Sequence, residues 1–206
     1  MRLKRLRLIL AGLIVSSPLF AFAHQNGAYV GLNGGWTAPD ESPAPANYSV
    51  GTPNLTYGGT VGYQLGLGQK LATGVEANYT QFGQSSYGGN ASTGNASGRF
   101  ENSAVQILLT GTYLMDNGFN TFLKVGAAHE QTGFDLANNT TGVAGWIPAV
   151  AAGLGYELIK NVNLYAQYER TFGDDWESAN TGTNETPSNP VSLNVLTMGV
   201  NYTLPM

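Results

Sequence analysis

The sequence predicts an all-β chain: an eight-stranded antiparallel up-and-down transmembrane β-barrel that follows a cleaved signal peptide. Three observations predict it. The chain opens on a basic start and a short apolar run that ends in small residues. Eight later segments alternate apolar with polar or small residues at period two. The links between those segments are long and short in strict turn.

Arg2, Lys4, Arg5 and Arg7 precede an apolar run from Leu8 to Phe22, and Ala21-Phe22-Ala23 fits the cleavage rule for export. Ser16, Ser17 and Pro18 interrupt the run, which is short for a spanning helix. Residues 1–23 are therefore expected to be a signal peptide, and 24–206 one barrel domain beginning at His24. Those 183 residues keep five basic side chains against all thirteen acidic ones, a formal charge of −8. Nucleic acid is not an expected partner, because it selects clustered positive surface. The chain has no cysteine, so an exported fold must be held by something other than disulfides, and a closed sheet meets that need. No later apolar run approaches the ~20 residues of a spanning helix. A membrane-embedded version of this chain would cross as strands.

The strand period places successive side chains on opposite faces. Segment one runs from about Ala28 to Thr37, with Ala28, Val30, Leu32 and Trp36 on one face. Segment two, Leu55 to Leu67, sets Leu55, Tyr57, Val61, Tyr63, Leu65 and Leu67 against Thr56, Gly58, Thr60, Gly62, Gln64 and Gly66. Segment three opposes Leu71, Val75, Ala77 and Tyr79 to Gly74, Glu76, Asn78 and Thr80. Segment four opposes Val105, Ile107, Leu109 and Tyr113 to Gln106, Leu108, Thr110 and Thr112. Segment five carries Phe119, Leu123, Val125 and Ala127 on one face and Asn120, Phe122, Lys124, Gly126 and Ala128 on the other. Segment six begins at Pro148, acceptable as a first strand residue, and opposes Val150, Leu154 and Tyr156 to Gly153, Gly155 and Glu157. Segment seven opposes Val162, Leu164, Ala166 and Tyr168 to Asn163, Tyr165, Gln167 and Glu169. Segment eight is the last strand: Leu196, Met198, Val200, Tyr202 and Leu204 against Thr197, Gly199, Asn201 and Thr203.

Gly68-Gln69-Lys70, Asp116-Asn117-Gly118 and Ile159-Lys160-Asn161 form the short links, tight turns by composition. The long links, about 38–54, 83–102, 131–147 and 171–191, are rich in Gly, Ser, Thr, Asn and Pro and are expected as loops. A barrel across an outer membrane has short periplasmic turns and long external loops. With the short turns at the periplasm, the apolar-face aromatics fall into two belts, as membrane interfaces select. Tyr63, Tyr113, Phe119, Tyr156 and Tyr202 lie near the periplasmic rim. Trp36, Tyr57, Tyr79, Trp146 and Tyr168 lie near the outer rim.

With these features the chain resembles the small eight-stranded outer-membrane barrels of the OmpA/OmpX type, over essentially its whole mature length. The resemblance implies residence in the outer membrane of a Gram-negative cell, contact with outer-membrane lipid and lipopolysaccharide, and insertion by the barrel-assembly machinery. It also implies an assembly signal in the outward-alternating last strand, here Val200, Tyr202 and Leu204. Leu204 stands where that family usually has Phe, and Pro205-Met206 extends beyond it. The periplasmic peptidoglycan-binding domain of the larger members has no counterpart in the sequence.

Eight strands leave a lumen just wide enough for side chains to fill. Glu76 stands five residues above Leu71 and Lys124 five above Phe119, so the two are expected to meet across the lumen. Gln106, Glu157, Gln167 and Glu169 share that interior. One expectation is a structural plug of ion pair and hydrogen bonds, and the other is a pair that swaps partners to gate a small pore. No enzyme, cofactor or metal site is expected. Only His24 and His129 exist, and no Ser lies within two residues of His129. The Asp174-Asp175-Trp176-Glu177 run lacks the carboxylate spacing of a calcium loop. The expected role is structural and surface-presenting: envelope integrity, with adhesion to a host or cell-surface ligand through the loops as an extension. A porin-like passive or gated pore is the alternative, and a lipid-modifying outer-membrane enzyme, with His129 as its histidine, the more remote one.

Overall fold

The computed structural model describes residues 26–39, 48–50, 54–89, 97–136, 139–173, 190 and 192–204. The expected signal segment, His24, the 174–177 acidic run and Pro205-Met206 lie outside the described residues. Among the described residues there are nine strands: β1 (Gly27–Pro39), β2 (Tyr48–Val50), β3 (Asn54–Gly66), β4 (Leu71–Gly89), β5 (Ser97–Leu114), β6 (Phe119–Leu136), β7 (Asn139–Ile159), β8 (Val162–Thr171) and β9 (Leu193–Thr203). β2 is a short addition beside β4, with Tyr48 opposite Gly89. The other eight each pair antiparallel with their neighbours in the chain, and β9 closes the ring on β1 from Tyr29↔Thr203 to Pro39↔Leu193. Closure leaves the barrel wall without an edge, the condition for a sheet to sit in lipid.

The alternation sorts the two faces as expected. Leu32, Leu55, Leu109, Leu154 and Met198 are all more than 60 % exposed on the outside, while Thr56, Glu76, Gln106 and Leu108 are fully buried inside. Outward hydroxyls turn back to the backbone where water is absent: Thr73 Oγ1 donates to the Thr110 carbonyl at 3.0 Å and Thr121 Oγ1 to the Gly153 carbonyl at 3.2 Å. At the short-turn end Lys70 meets Asp116 at 2.7 Å, linking the first two turns. The hydrogen bond to Asp116, then its charge, holds the Lys70 ammonium above the ordinary lysine value.

Two expected loops are strand instead. The 83–102 and 131–147 links are extended hairpins: β4 and β5 stay paired out to Gly88↔Ser97, and β6 and β7 out to Leu136↔Asn139. Gly and Asn are weak strand formers, but cross-strand pairing overrides so shallow a preference. β4 to β7 are 18–21 residues long and the remaining barrel strands 10–13. Since about 9–11 tilted residues cross a bilayer, one side of the wall stands well above the membrane. Pro148 is likewise not a first strand residue but lies within β7. Its carbonyl accepts from Phe172 N at 2.9 Å, so its nitrogen faces β8 just past that strand's end at Thr171, where no ladder bond is lost.

The inner wall is built from three cross-strand pairs of glycine and aromatic. Tyr29 lies opposite Gly62, Phe122 opposite Gly153, and Tyr165 opposite Gly199. A Cβ on Gly62 would fall 2.3 Å from the Tyr29 ring, one on Gly153 2.4 Å from Phe122, and one on Gly199 2.5 Å from Tyr165. Each ring lies flat against the wall because its partner has no side chain. We predict that Gly62→Val and Gly199→Val each destabilise the refolded barrel by about 1–3 kcal/mol through overpacking. Gly111→Val, at an outward position with open space around it, should stay within about 0.5 kcal/mol. Urea midpoints read by heat-modifiable gel migration check the contrast; equal losses would refute the pairing.

Candidate functional site: the barrel lumen

The middle of the lumen is a polar network centred on Glu76 of β4, 1 % exposed. Lys124 Nζ of β6 donates to Glu76 Oε1 at 2.7 Å. Asn78 Nδ2 donates to the same oxygen at 2.8 Å, and the Tyr29 hydroxyl to Oε2 at 2.8 Å. Asn78 in turn accepts from the Thr60 hydroxyl and reaches Gln106 Oε1 at 3.5 Å. Gln106 Nε2 of β5 crosses the lumen to Glu169 Oε1 of β8, whose Oε2 accepts from Gln167 Nε2 at 3.3 Å. Six of the eight barrel strands are tied together in this layer. Of the six polar residues singled out from the sequence, Glu76, Lys124, Gln106, Gln167 and Glu169 join it. Glu157 lies lower, half-buried, on the wall of a cavity.

Above the network, towards the extended hairpins, the lumen turns apolar. Phe82, Leu193 and Val195, each 2 % exposed or less, pack with Ile147, Ala104 and the buried Leu108, which stands level with Glu76 as its cross-strand partner. Phe82 continues the inward face of Glu76, Asn78 and Thr80, and with Gly83, at φ 75°, it forms a bulge in which the two together face Asn102. Beside this layer Glu130 is fully buried, accepting from Asn102 Nδ2 and from the Thr171 hydroxyl at 3.5 Å. Below the network, towards the short turns, a cavity of about 80 Å³ opens between Gln64, Asn120, Glu157, Asn163 and Thr203.

The parity of segment one places Tyr29 inward and that of segments five and seven places Phe122 and Tyr165 inward, so the aromatic contribution was readable as position though not as contact. Lys124 Nζ stands 5.1 Å from the Phe122 centroid and 5.5 Å from that of Tyr165. Phe82 and Ile147 fell in or beside segments read as loops, and only strand extension brings them inside.

On the outer face, nine of the ten belt aromatics are 43–60 % exposed, and Tyr156 is half-buried with its ring 4.9 Å from Phe119. His129 also faces outward, its ring 5.2 Å from Trp146 in an edge contact. Val200, Tyr202 and Leu204 face outward on the closing strand, and Leu204 N donates to the Ala28 carbonyl at 2.8 Å. Depth on this face sets the cost of charge. Leu109→Arg, at mid-height, is predicted to destabilise by about 2–4 kcal/mol, and Leu71→Arg, at the rim, by about 0–1 kcal/mol. Similar costs in reversible unfolding from vesicles would show that Leu109 does not face the bilayer core.

Comparison with known proteins agrees with this geometry. Residues 8–203 match the outer membrane protein beta-barrel domain family. No curated protein sequence matches the chain. Solved structures of the same fold include Neisserial surface protein A, at 14 % identity and TM-score 0.54, covering 86 % of this chain and 97 % of that one. Ail of Yersinia pestis matches at 16 % identity and TM-score 0.52, with 87 % and 97 % covered; Ail has also been crystallised with the heparin analogue sucrose octasulfate. OprG of Pseudomonas aeruginosa matches at 14 % identity and TM-score 0.54, with 89 % and 99 % covered. A closed barrel of eight antiparallel strands, apolar outside and filled within, whose sequence matches along nearly its whole length, places this chain in the outer membrane protein beta-barrel domain family, resident in the outer membrane.

Proposed function

We propose that the protein is a plugged outer-membrane scaffold: it contributes to envelope integrity and presents its tall hairpins and long connections at the cell surface, without catalysis. The observation that carries this is the double closure of the lumen. A buried polar network spans it at the level of Glu76, and an apolar cluster around Phe82, Leu193 and Val195 packs above. A narrow barrel so filled is a rigid wall rather than a channel.

The elevated part of the wall, β4 to β7 with β2 alongside, offers paired strand surface beyond the membrane. Contact with another cell or a host protein would be made there. The 38–54 and 171–191 connections carry Asp40, Glu41, Asp174, Asp175, Glu177 and Glu185 with no lysine or arginine, and the tall hairpins add Arg99 against Glu101 and Asp135. That balance favours a cationic or neutral partner over a polyanion such as the heparin analogue seen with Ail. The outward position of His129 against Trp146 supports an interface role for it over an acid–base one.

A gated pore is the second reading, favoured by the cavity that reaches the Glu76–Lys124 pair from the short-turn end. Planar-bilayer recording separates the two: the scaffold predicts no steady conductance from the wild type, whereas discrete steps altered by Glu76→Gln would establish the pore. The plug also predicts that Lys124→Met, which strands a buried carboxylate, costs about 3–5 kcal/mol. That exceeds the effect of any single substitution within 174–189, such as Trp176→Ala. Equal melting temperatures for the two kinds of variant would sink the plug.

A further inference from the structure

The Lys124 ammonium occupies an aromatic cage. One side of it is the Glu76 carboxylate at 2.7 Å, and two others are the Phe122 and Tyr165 rings at 5.1 and 5.5 Å. Rings and a carboxylate around a point charge are the usual means of recognising an organic ammonium ion. The two rings meet edge to face at 6.0 Å and are held against the wall by Gly153 and Gly199. The cage is therefore a feature of the wall, not of the lysine.

The cage is continuous with the cavity below it. Glu76, Phe122, Lys124 and Tyr165 line the inner end of that cavity, and Leu114, Gly118, Asn163 and Thr203 its mouth beside the short turns. The lining carries two carboxylates, Glu76 and Glu157, against one ammonium, with neutral amides and hydroxyls between them. An anion would meet net negative charge; a cation would find carbonyl, hydroxyl and carboxylate acceptors. About 80 Å³ holds a few waters or one ammonium ion of one or two carbons.

We infer that the periplasmic half of the lumen is a binding site for small organic ammonium ions, with the lysine of this chain filling its innermost position. The ion enters past Gly118 and Thr203, rests between Glu157 and the cage, and is stopped above by Leu108 and the apolar layer. The site belongs to the periplasm and leads nowhere further.

The chain has no cysteine, so a single introduced thiol reports on the site. Thr112→Cys lies on the cavity wall, and Gln69→Cys, in the exposed first turn, gives the intrinsic reactivity. Both are refolded in neutral micelles and labelled with 2-aminoethyl methanethiosulfonate or with its sulfonate-bearing analogue. Relative to Gln69→Cys, the ammonium reagent should label Thr112→Cys about fivefold faster or more, as charged clefts concentrate counter-ions. Adding Glu157→Gln should reduce that preference. Ethylammonium chloride should slow the labelling more than sodium chloride at the same ionic strength. A normalised preference of one or less, or equal protection by the two salts, would overturn the inference. A second measurement is independent of the thiol: Lys124→Ala vacates the cage, and ethylammonium chloride should recover at least half of the lost urea midpoint. Equal midpoints in sodium and ethylammonium chloride would likewise overturn it.

Discussion

One ion pair organises the interior of this barrel. Lys124 is the one buried cation among the described residues, and it faces a lumen that holds the buried carboxylates Glu76, Glu130 and Glu169. A buried charge is tolerated only when paired and hydrogen-bonded. Glu76 meets that demand completely: it accepts from Lys124, Asn78 and Tyr29, three donors on three strands. Tyr29 belongs to the strand that closes on β9, Glu76 to the first hairpin wall and Lys124 to the third pair of strands. The pair therefore clamps parts of the ring that are distant in sequence, so that closure of the barrel and satisfaction of its interior charge become one event.

The rest of the lumen is arranged around that clamp in layers. The Phe122 and Tyr165 rings flanking Lys124 need Gly153 and Gly199 opposite them, and the Tyr29 ring that reaches Glu76 needs Gly62, so all three glycines are fixed by the ion pair. Above, the network passes through Gln106 to Glu169, and then meets an apolar cluster around Phe82 and Leu193 flanked by a second buried polar group of Glu130, Asn102 and Thr171. Below, the wall loosens into a cavity lined largely by amides, hydroxyls and carboxylates. Polar side chains therefore run the length of the lumen, and the apolar cluster sits among them on the side of the extended hairpins.

Much of this is legible in the sequence because a period of two is unforgiving: a one-residue slip would turn every side chain to the wrong face. Parity alone puts Tyr29, Gln106, Lys124, Tyr165 and Glu169 inside and Leu32, Tyr63 and Leu154 outside. Height above the short turns suffices to bring Glu76 and Lys124 together. Parity says nothing of where a strand stops once both walls of a hairpin continue to pair, which is why residues 83–102 and 131–147 read as loops and Pro148 as a strand start. It gives Phe82 the inward face of Glu76, Asn78 and Thr80, but it cannot foresee the bulge at Gly83, φ 75°, that shifts the register beyond it. Which amide meets which carboxylate depends on strand tilt and shear, quantities that no local pattern carries.

The central claim is that Glu76 and Lys124 act as a coupled pair holding the lumen shut, and a double-mutant cycle tests it most directly. Unfolding free energies of the wild type, Glu76→Gln, Lys124→Met and the double variant in the same vesicles give the coupling between the two side chains. The account predicts a coupling of about 2 kcal/mol or more, with the double variant more stable than Lys124→Met alone, because removing both charges leaves none stranded. A coupling below about 0.5 kcal/mol, the level of independent sites, would contradict it.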